Sequence, residues 1–324
     1  MTTQEQPTSA AAPAATPTAS TGLMTAGRDK ATGLRKRMGM TPKAFAASVV
    51  MPILCIAVIL ATLVVAPADQ KPLIFWSSLI AILAGLSATA IGVYGGVLVP
   101  GLLLLGVDPR FAAAASLFLQ VLVIPLGAGA HYRLGNVSRH IAVPLIIGGM
   151  IGAFVGPFFA AALPKDMIAR LVAAVIVGVG VLVLATIRWG GLRSVLPTEQ
   201  VSQSRVGGVG LGAGFASGVS GAGWGPIGVK SLILLRIEPR QAIGSSLLGR
   251  VFMAASAVVG FILSSKMSES FPVNTWILIP MFAGSVAAMV PGAFMVSRIG
   301  REKATVAITL LSIGLAIPTL LFGH

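Results

Sequence analysis

Two basic residues of this chain lie deep inside stretches apolar enough to cross a membrane. Arg250 falls midway along the apolar segment 242–264, and Lys230 ends the glycine-rich run GVSGAGWGPIGVK at 218–230. The nine acidic residues lie in the N-terminal tail, in loops or at segment ends, so none is at a comparable depth. A central arginine then requires an anion, a lipid phosphate or backbone carbonyls as its partner, whereas Lys230 can also extend its head group to the membrane surface.

Two glycine clusters interrupt apolar regions, GVYGG at 92–96 and GAGWG at 221–225. Glycine adopts positive φ without steric cost, so each cluster predicts a turn between two half-helices near mid-membrane. Amides freed at such a turn must line a protected cavity or contact a ligand, and the N-terminus of a restarting helix favours an anion. Close helix packing explains any single glycine equally well, but the clustering and duplication favour the turns.

We therefore predict a substrate site between the two turns. Aromatic rings at the turns can gate a cavity or simply pack, and serine in a membrane helix often bonds its own backbone. The three histidines lie at segment ends or the terminus, so the sequence predicts neither a metal site nor a cofactor. The predicted substrate-binding residues are Gly92, Tyr94, Gly95, Gly96, Gln120, Ser220, Gly221, Gly223, Trp224, Gly225, Lys230 and Arg250.

The composition is that of an integral membrane protein. Of 324 residues, 56% are hydrophobic and only 10% are charged, and the mean hydropathy is +0.93, far above what a soluble domain keeps in solution. The net charge of +14 does not indicate nucleic acid, because basic residues cluster just before the first apolar segment. Such a cluster predicts a cytoplasmic N-terminus and attracts anionic lipid. The single cysteine, Cys55, excludes a disulfide within the chain.

Apolar segments predict an all-α fold. Two regions, 73–105 and 206–236, are too long for one ordinary crossing, and each contains one of the glycine clusters. Residues 1–43 are predicted to form a disordered, basic cytoplasmic tail. Uninterrupted segments long enough to cross about 30 Å of hydrocarbon occur at 44–66, 111–130, 141–162, 167–187, 242–264, 273–296 and 303–322.

The chain also contains an internal duplication. The sequence AGLSATAIGVYGGVLVPGLLLLGVDPR at 84–110 aligns with AGFASGVSGAGWGPIGVKSLILLRIEPR at 213–240, with one added residue. This alignment matches Gly92 with Gly221, and its continuation matches Gln120 with Arg250. The predicted organisation is an extra N-terminal transmembrane helix at 44–66, a first repeat at 73–187, a linker loop at 188–205 and a second repeat at 206–322.

Loop charges favour hairpins that enter the membrane and return on the same side. If both glycine-broken regions are re-entrant, ten Lys and Arg residues of the short loops face the cytoplasm and four face outside; if both regions cross, each side receives seven. The positive-inside rule favours the first arrangement. Each repeat then consists of one re-entrant helical hairpin and three crossings, so the two repeats have inverted topology, as in many secondary transporters.

The duplicated elements GLSATAIGVYGGVLVPGLL and GFASGVSGAGWGPIGVKSL, each followed by a small-residue helix such as AIGSSLL, resemble those of the sulfite exporter TauE/SafE family of membrane permeases. The resemblance extends over roughly residues 73 to 322. It implies transport of sulfur-containing anions such as sulfite, sulfoacetate or thiosulfate, or of other small organic acids.

The leading hypothesis is a secondary transporter, an exporter, in which a small anion binds at mid-membrane and one repeat moves against the other. An anion channel with the same electropositive path is the alternative. A membrane-embedded enzyme is disfavoured because the sequence offers no convincing nucleophile and base. The expected partners are the small anion and membrane lipid, with no nucleic acid and with a homo-oligomer left open. The expected location is the plasma membrane of a prokaryote.

Overall fold

The computed structural model describes residues 42–189, 196–264, 275–288, 291 and 301–323. Within these ranges the chain is helical and contains no strand, in agreement with the all-α prediction. The chain divides into two units, Met1–Val50 and Met51–His324. The predicted tail up to residue 41 lies outside the described residues, as do 190–195 of the predicted linker and the positions 273, 274, 289, 290 and 292–296 of the predicted crossing 273–296.

Helices occupy the predicted crossings wherever the structure describes them. Among the described residues, five stretches are apolar and long enough to cross a membrane: Lys71–Thr89, Arg139–Ala162, Lys165–Arg188, Pro239–Leu263 and Glu302–Phe322. The helices in chain order are α1 (Pro42–Val65), α2 (Lys71–Ile91), α3 (Gly95–Leu104), α4 (Pro109–Arg133), α5 (Arg139–Ala162), α6 (Lys165–Trp189), α7 (Gln203–Ser220), a π-helix (Trp224–Val229), α8 (Lys230–Leu234), α9 (Pro239–Leu263), α10 (Thr275–Ala287) and α11 (Arg301–Phe322).

The first glycine cluster ends one helix and begins another. Gly92 closes α2 in the left-handed conformation, with φ of 78°, and its amide donates to the carbonyl of Ala88 at 2.9 Å. Glycine suits this position because a side chain at positive φ is strained. After α3 begins at Gly95, the chain folds back on α2, since a Cβ on Gly101 would overlap the side chain of Ile80. Residues 71–104 therefore form a helical hairpin, the first hairpin.

The second cluster forms a second hairpin by the same local device. Gly221 closes α7 with φ of 67°, and its amide donates to the carbonyl of Ser217 at 2.7 Å. The chain returns along α7, because a Cβ on Gly228 would lie 3.9 Å from the Cβ of Ala213. The returning arm is a π-helix followed by the short α8. Residues 203–234 are the second hairpin, and its return differs in backbone from the α-helical return of the first.

The arms of the first hairpin are unequal in length, which the sequence pattern did not indicate. The descending helix α2 has 21 residues and the returning helix α3 has 10. At 1.5 Å per residue, α2 is about 31 Å long and α3 about 15 Å. The longer arm alone therefore matches the thickness of a hydrocarbon layer, whereas the returning arm reaches only about half of it.

Helices of the two predicted repeats pack in exchanged pairs. The first hairpin packs through α2 against α10, and the second packs through α7 against α5. A Cβ on Gly85 would overlap the backbone of Ser285, and a Cβ on Gly214 would overlap the backbone of Gly149, so both contacts require glycine. In the alignment of the repeats, α2 corresponds to α7 and α10 corresponds to α5. The two pairs are therefore equivalent under exchange of the repeats. Of the other large contacts, α4 with α9 and α6 with α11 join matching helices, whereas the larger contact of α5 with α9 joins helices at different positions of the two repeats.

Candidate anion site between the two hairpin turns

Arg250 lies midway along α9 and bonds two elements of the first repeat. Its side chain is 3% exposed. Nε donates to Oε1 of Gln120 at 2.7 Å, and Nη1 donates to the carbonyl oxygen of Gly92 at 2.8 Å. Neither partner is negatively charged. The guanidinium is therefore held in place by neutral acceptors while its positive charge remains uncompensated by them.

Gln120 extends this bonding to the second turn. Its Nε2 donates to the carbonyl oxygen of Gly221 at 3.2 Å and to the hydroxyl of Ser116 at 3.0 Å. Ser116 donates to the same carbonyl at 2.9 Å. A continuous bonded path thus runs from the carbonyl of Gly92 through Arg250 and Gln120 to the carbonyl of Gly221. Because a helix leaves its last carbonyls without internal partners, each turn supplies an acceptor that the other repeat satisfies.

The two turns also touch directly through their backbones. A Cβ on Gly95 would overlap the carbonyl oxygen of Gly221, and a Cβ on Gly225 would lie 2.6 Å from the carbonyl oxygen of Gly92. Real Cβ atoms do not approach a carbonyl oxygen this closely, so glycine is required at both positions. The turns therefore meet at the point where Arg250 lies, and they form the partition between two cavities.

The aromatic residues at the turns are buried, and each contacts a helix of the opposite repeat. The Tyr94 hydroxyl lies 2.7 Å from Oγ of Ser285 in α10. Trp224 donates from Nε1 to the carbonyl of Ser246 at 2.9 Å, and its ring covers Gly149 of α5, where a Cβ would overlap the indole. Both rings are almost wholly buried, so each fixes its turn against a neighbouring helix as well as lining a cavity.

The large cavity lies on the side of the second hairpin and has an empty volume of about 1710 Å³, including the space at its mouth. Arg250 and Lys230 supply positive charge to its wall. The ends of four helices also line this cavity. The residues from α4 and α6 lie near the C-termini of those helices, and the residues from α9 and α11 lie near the N-termini. These include His131, Thr186, Ile187, Pro239, Ile243, Glu302 and Thr305.

The small cavity lies on the side of the first hairpin, with an empty volume of about 430 Å³ that also includes its mouth. Gly95 and Gly96, the first residues of α3, line it together with the apolar middle of α6. Thr309 and Ser312 of α11 add hydroxyl groups. Three residues, Val93, Val183 and Arg250, line both cavities, so Arg250 is the charged group common to both cavity walls.

Nine of the twelve predicted site residues lie on a cavity wall. The small cavity has Tyr94, Gly95, Gly96, Gly223 and Arg250, and the large cavity has Gly92, Trp224, Gly225, Lys230 and Arg250. Gln120 and Gly221 instead belong to the bonded path between the turns. Ser220 stays within its own hairpin, where its hydroxyl donates to the carbonyl of Ala216 at 2.6 Å and accepts from the amide of Ala222 at 3.2 Å.

Sequence reasoning missed the polar residues of α11. Thr305 lines the large cavity, and Thr309 and Ser312 line the small one. Their spacing of four and then three residues places them on one face of the helix, and this spacing can be read in the sequence as a polar stripe in an otherwise apolar crossing. Within the described ranges, no group of three or more His, Cys, Asp or Glu residues could hold a metal ion.

Several known proteins are similar to this chain. It is 28% identical over 233 residues to the probable membrane transporter protein YtnM of Bacillus subtilis strain 168, covering 71% of this chain and 76% of YtnM. It is 30% identical over 173 residues to the probable membrane transporter protein YdhB of the same strain, covering 52% of this chain and 66% of YdhB. A probable membrane transporter protein of Haemophilus influenzae strain KW20 is 27% identical over 256 residues, which are 74% of this chain and 92% of that protein.

None of the solved structures gives a significant match to the chain. The characteristic sequence pattern of one family, described as sulfite exporter TauE/SafE, matches residues 77–318. This match covers both turns, all of the second hairpin, most of the first, the bonded path between the turns and the polar stripe of α11. Together with the apolar helices and the transporter relatives, it makes the chain a multi-pass membrane transporter. The chain belongs to the sulfite exporter TauE/SafE family.

Proposed function

We propose that the protein is a secondary transporter that exports small anions across the plasma membrane of a prokaryote. The proposed substrates are sulfur-containing oxyanions or sulfonates, such as sulfite, sulfoacetate or thiosulfate, bound at mid-membrane between the two hairpin turns. The observation that carries the proposal is Arg250, a buried cation in mid-helix that lines both cavities and whose hydrogen-bond acceptors among the described residues are both neutral. A cation in that setting is completed by an anion.

The architecture proposed for this function is a pair of inverted repeats with re-entrant hairpins and a cytoplasmic N-terminus. The exchanged helix pairs support it, since they follow from a two-fold relation between repeats. The loop charges support the orientation. In that orientation the helix ends around the mouth of the large cavity face the cytoplasm, so this conformation is open inward. Movement of one repeat against the other would break the bond between Arg250 and Gly92 and open the opposite side.

An anion channel is the second candidate, and one observation disfavours it. A channel needs a continuous path past the turns, whereas the backbones of Gly95 and Gly221 are in contact at the partition. The outer surface is apolar and exposes residues such as Ile53, Phe154 and Ile262. We propose that this surface contacts membrane lipid and that it would also supply the interface of any homo-oligomer.

Flux in proteoliposomes tests the proposal. Purified wild type, Arg250→Gln and Arg205→Gln would be compared for uptake of labelled sulfite, thiosulfate, sulfoacetate and acetate. Arg205 is an exposed arginine in the first turn of α7 and lines neither cavity. Its variant therefore removes one positive charge without changing a cavity wall. We expect saturable flux of the sulfur anions, acceleration by anion loaded on the other side, and loss in Arg250→Gln alone. Non-saturating flux without exchange would favour the channel, and flux undiminished in Arg250→Gln would remove Arg250 from the mechanism.

A further inference from the structure

We propose that the small cavity is a binding site for the oxyanion head group, and that Thr309 is one of its ligands. The other ligands are the amides of Gly95 and Gly96 and the Nη2 group of Arg250. This inference rests on the proposed anion transport, but it assigns the head group to the first turn. The reason is that the polar groups around the two turns differ.

The first turn supplies two amides to the small cavity. The α-helix α3 begins at Gly95, so the amides of Gly95 and Gly96 precede its first internal hydrogen bonds, which begin at Val97. Neither amide has an acceptor among the described residues. Both glycines line the cavity. Amides of this kind carry the positive end of the helix dipole and bind anions.

Thr309 provides an independent reason to place a ligand there. Its side chain is 4% exposed and lines the small cavity, and its hydroxyl has no hydrogen-bond partner in the described part of the chain. Only the hydroxyl of Thr319 is both fully enclosed and unpaired among the described side chains. The Thr309 oxygen therefore keeps accessible surface, which the cavity provides. A nearly buried hydroxyl without a partner loses free energy unless a ligand or water bonds it.

Arg250 adds a charged donor that is already oriented. Its Nε and Nη1 are occupied by Gln120 and Gly92, and Nη2 has no acceptor among the described residues. The two existing bonds fix the plane of the guanidinium, so little side-chain freedom remains to be lost when an anion binds Nη2. Charge-assisted hydrogen bonds of this type are about twice as strong as neutral ones.

The second turn cannot offer the same set of donors. The amide of Trp224 already donates to the hydroxyl of Ser217 at 2.6 Å. Pro226 has no amide hydrogen, and the amide of Ile227 donates to the carbonyl of Gly223 at 2.9 Å. Of the first four residues of this returning arm, only Gly225 retains an amide without an acceptor among the described residues. The head group therefore has more donors at the first turn.

The arrangement of the donors indicates the ligand class. They come from three elements, α3, α9 and α11, and so approach a bound group from separate directions. A pyramidal or tetrahedral head with three or more oxygens, as in sulfite or a sulfonate, can accept from all of them. A planar carboxylate presents only two oxygens, so we expect acetate to bind more weakly than sulfite.

Binding to the purified full-length protein tests the site. Sulfite, with acetate as comparison, would be titrated by calorimetry into wild type, Thr309→Val, Thr309→Ser and Ser312→Ala. Valine keeps the shape of threonine without its hydroxyl, and serine keeps the hydroxyl. Ser312 is the matched control, since its hydroxyl lines the same cavity but already donates to the carbonyl of Ile308 at 3.0 Å. We expect Thr309→Val to weaken sulfite binding about ten-fold or more, with the other two variants within about three-fold of wild type.

The outcomes separate this site from transport itself. Equal sulfite binding in Thr309→Val and Ser312→Ala, or loss of binding in Thr309→Ser, would overturn the role of Thr309. Failure of wild type to prefer sulfite over acetate would overturn the site as a whole. Flux through proteoliposomes would be measured on the same preparations. Sulfite binding with the expected pattern but no flux would support the site and overturn the proposed transport function.

Discussion

Gln120 and Arg250 occupy matching positions of the two repeats and are bonded to each other, with Nε of Arg250 donating to Oε1 of Gln120 at 2.7 Å. Each also bonds the turn carbonyl of the opposite repeat, Gln120 to Gly221 and Arg250 to Gly92. The two residues hold equivalent positions, but Arg250 is positively charged and Gln120 is neutral. One cation therefore serves the whole partition, and the neutral partner positions it without cancelling its charge.

Gln120→Glu tests the importance of that uncancelled charge. A carboxylate beside Nε would pair with Arg250 and offset its attraction for an anion. We expect flux of sulfite to fall at least about ten-fold, because an offset of about 1.4 kcal/mol suffices for that. Thermal unfolding in detergent would check that the variant remains folded. Wild-type flux in a folded Gln120→Glu protein would show that the charge of Arg250 does not act on the substrate.

The two turn glycines are expected to differ in their tolerance of alanine. Gly92 has φ of 78° and open space around its missing Cβ, whereas at Gly221, with φ of 67°, a Cβ would meet the backbone of Ala113 at 2.6 Å. Gly92→Ala should cost about 1–2 kcal/mol of unfolding free energy from backbone strain alone. Gly221→Ala should cost roughly 1–3 kcal/mol more, because overpacking is added. Thermal unfolding of both variants measures the difference, and equal losses would contradict the contact.

Trp224 and Gly149 provide a test of packing by a double-mutant cycle. A Cβ on Gly149 would overlap the far edge of the Trp224 indole, so Gly149→Ala alone should destabilise the protein by about 1–3 kcal/mol. Trp224→Phe removes that edge and also the bond from Nε1 to Ser246. We therefore expect the double variant to be more stable than the sum of the single effects, by about 0.5–3 kcal/mol. Strict additivity would show that the ring does not press on Gly149.

Cysteine labelling tests which side the large cavity faces. The single native cysteine, Cys55, would be replaced by serine, and Thr186→Cys would be introduced into the cavity wall. We expect a membrane-impermeant maleimide to label it only from the cytoplasmic side. Excess sulfite should slow the labelling. Ile168→Cys is the control, since Ile168 is fully buried. Labelling of Thr186→Cys from the outside would invert the proposed orientation.

Local features of the sequence were enough to predict the helices and the positions of both turns. Apolar composition over about 20 residues indicates a crossing helix whatever surrounds it, and Gly92 and Gly221 end their helices at positive φ, which is a local property of glycine. Arg250 was also identifiable, because a basic residue in mid-segment requires a partner wherever the helix packs. The unequal arms of the first hairpin and the π-helix of the second were not evident from these local patterns.

Only the tertiary structure determined which residues from distant parts of the sequence lie together at the site. The partner of Arg250 is 130 residues away in Gln120, and the backbone approach of Gly95 to Gly221 depends on how two hairpins meet. The role of Thr309 likewise follows from the cavity that α11 faces and not from its own neighbours in sequence. Helix formation is determined by local hydrogen bonds and apolarity. The placement of donors from α3, α9 and α11 around one cavity is determined by contacts between segments that are distant in the sequence.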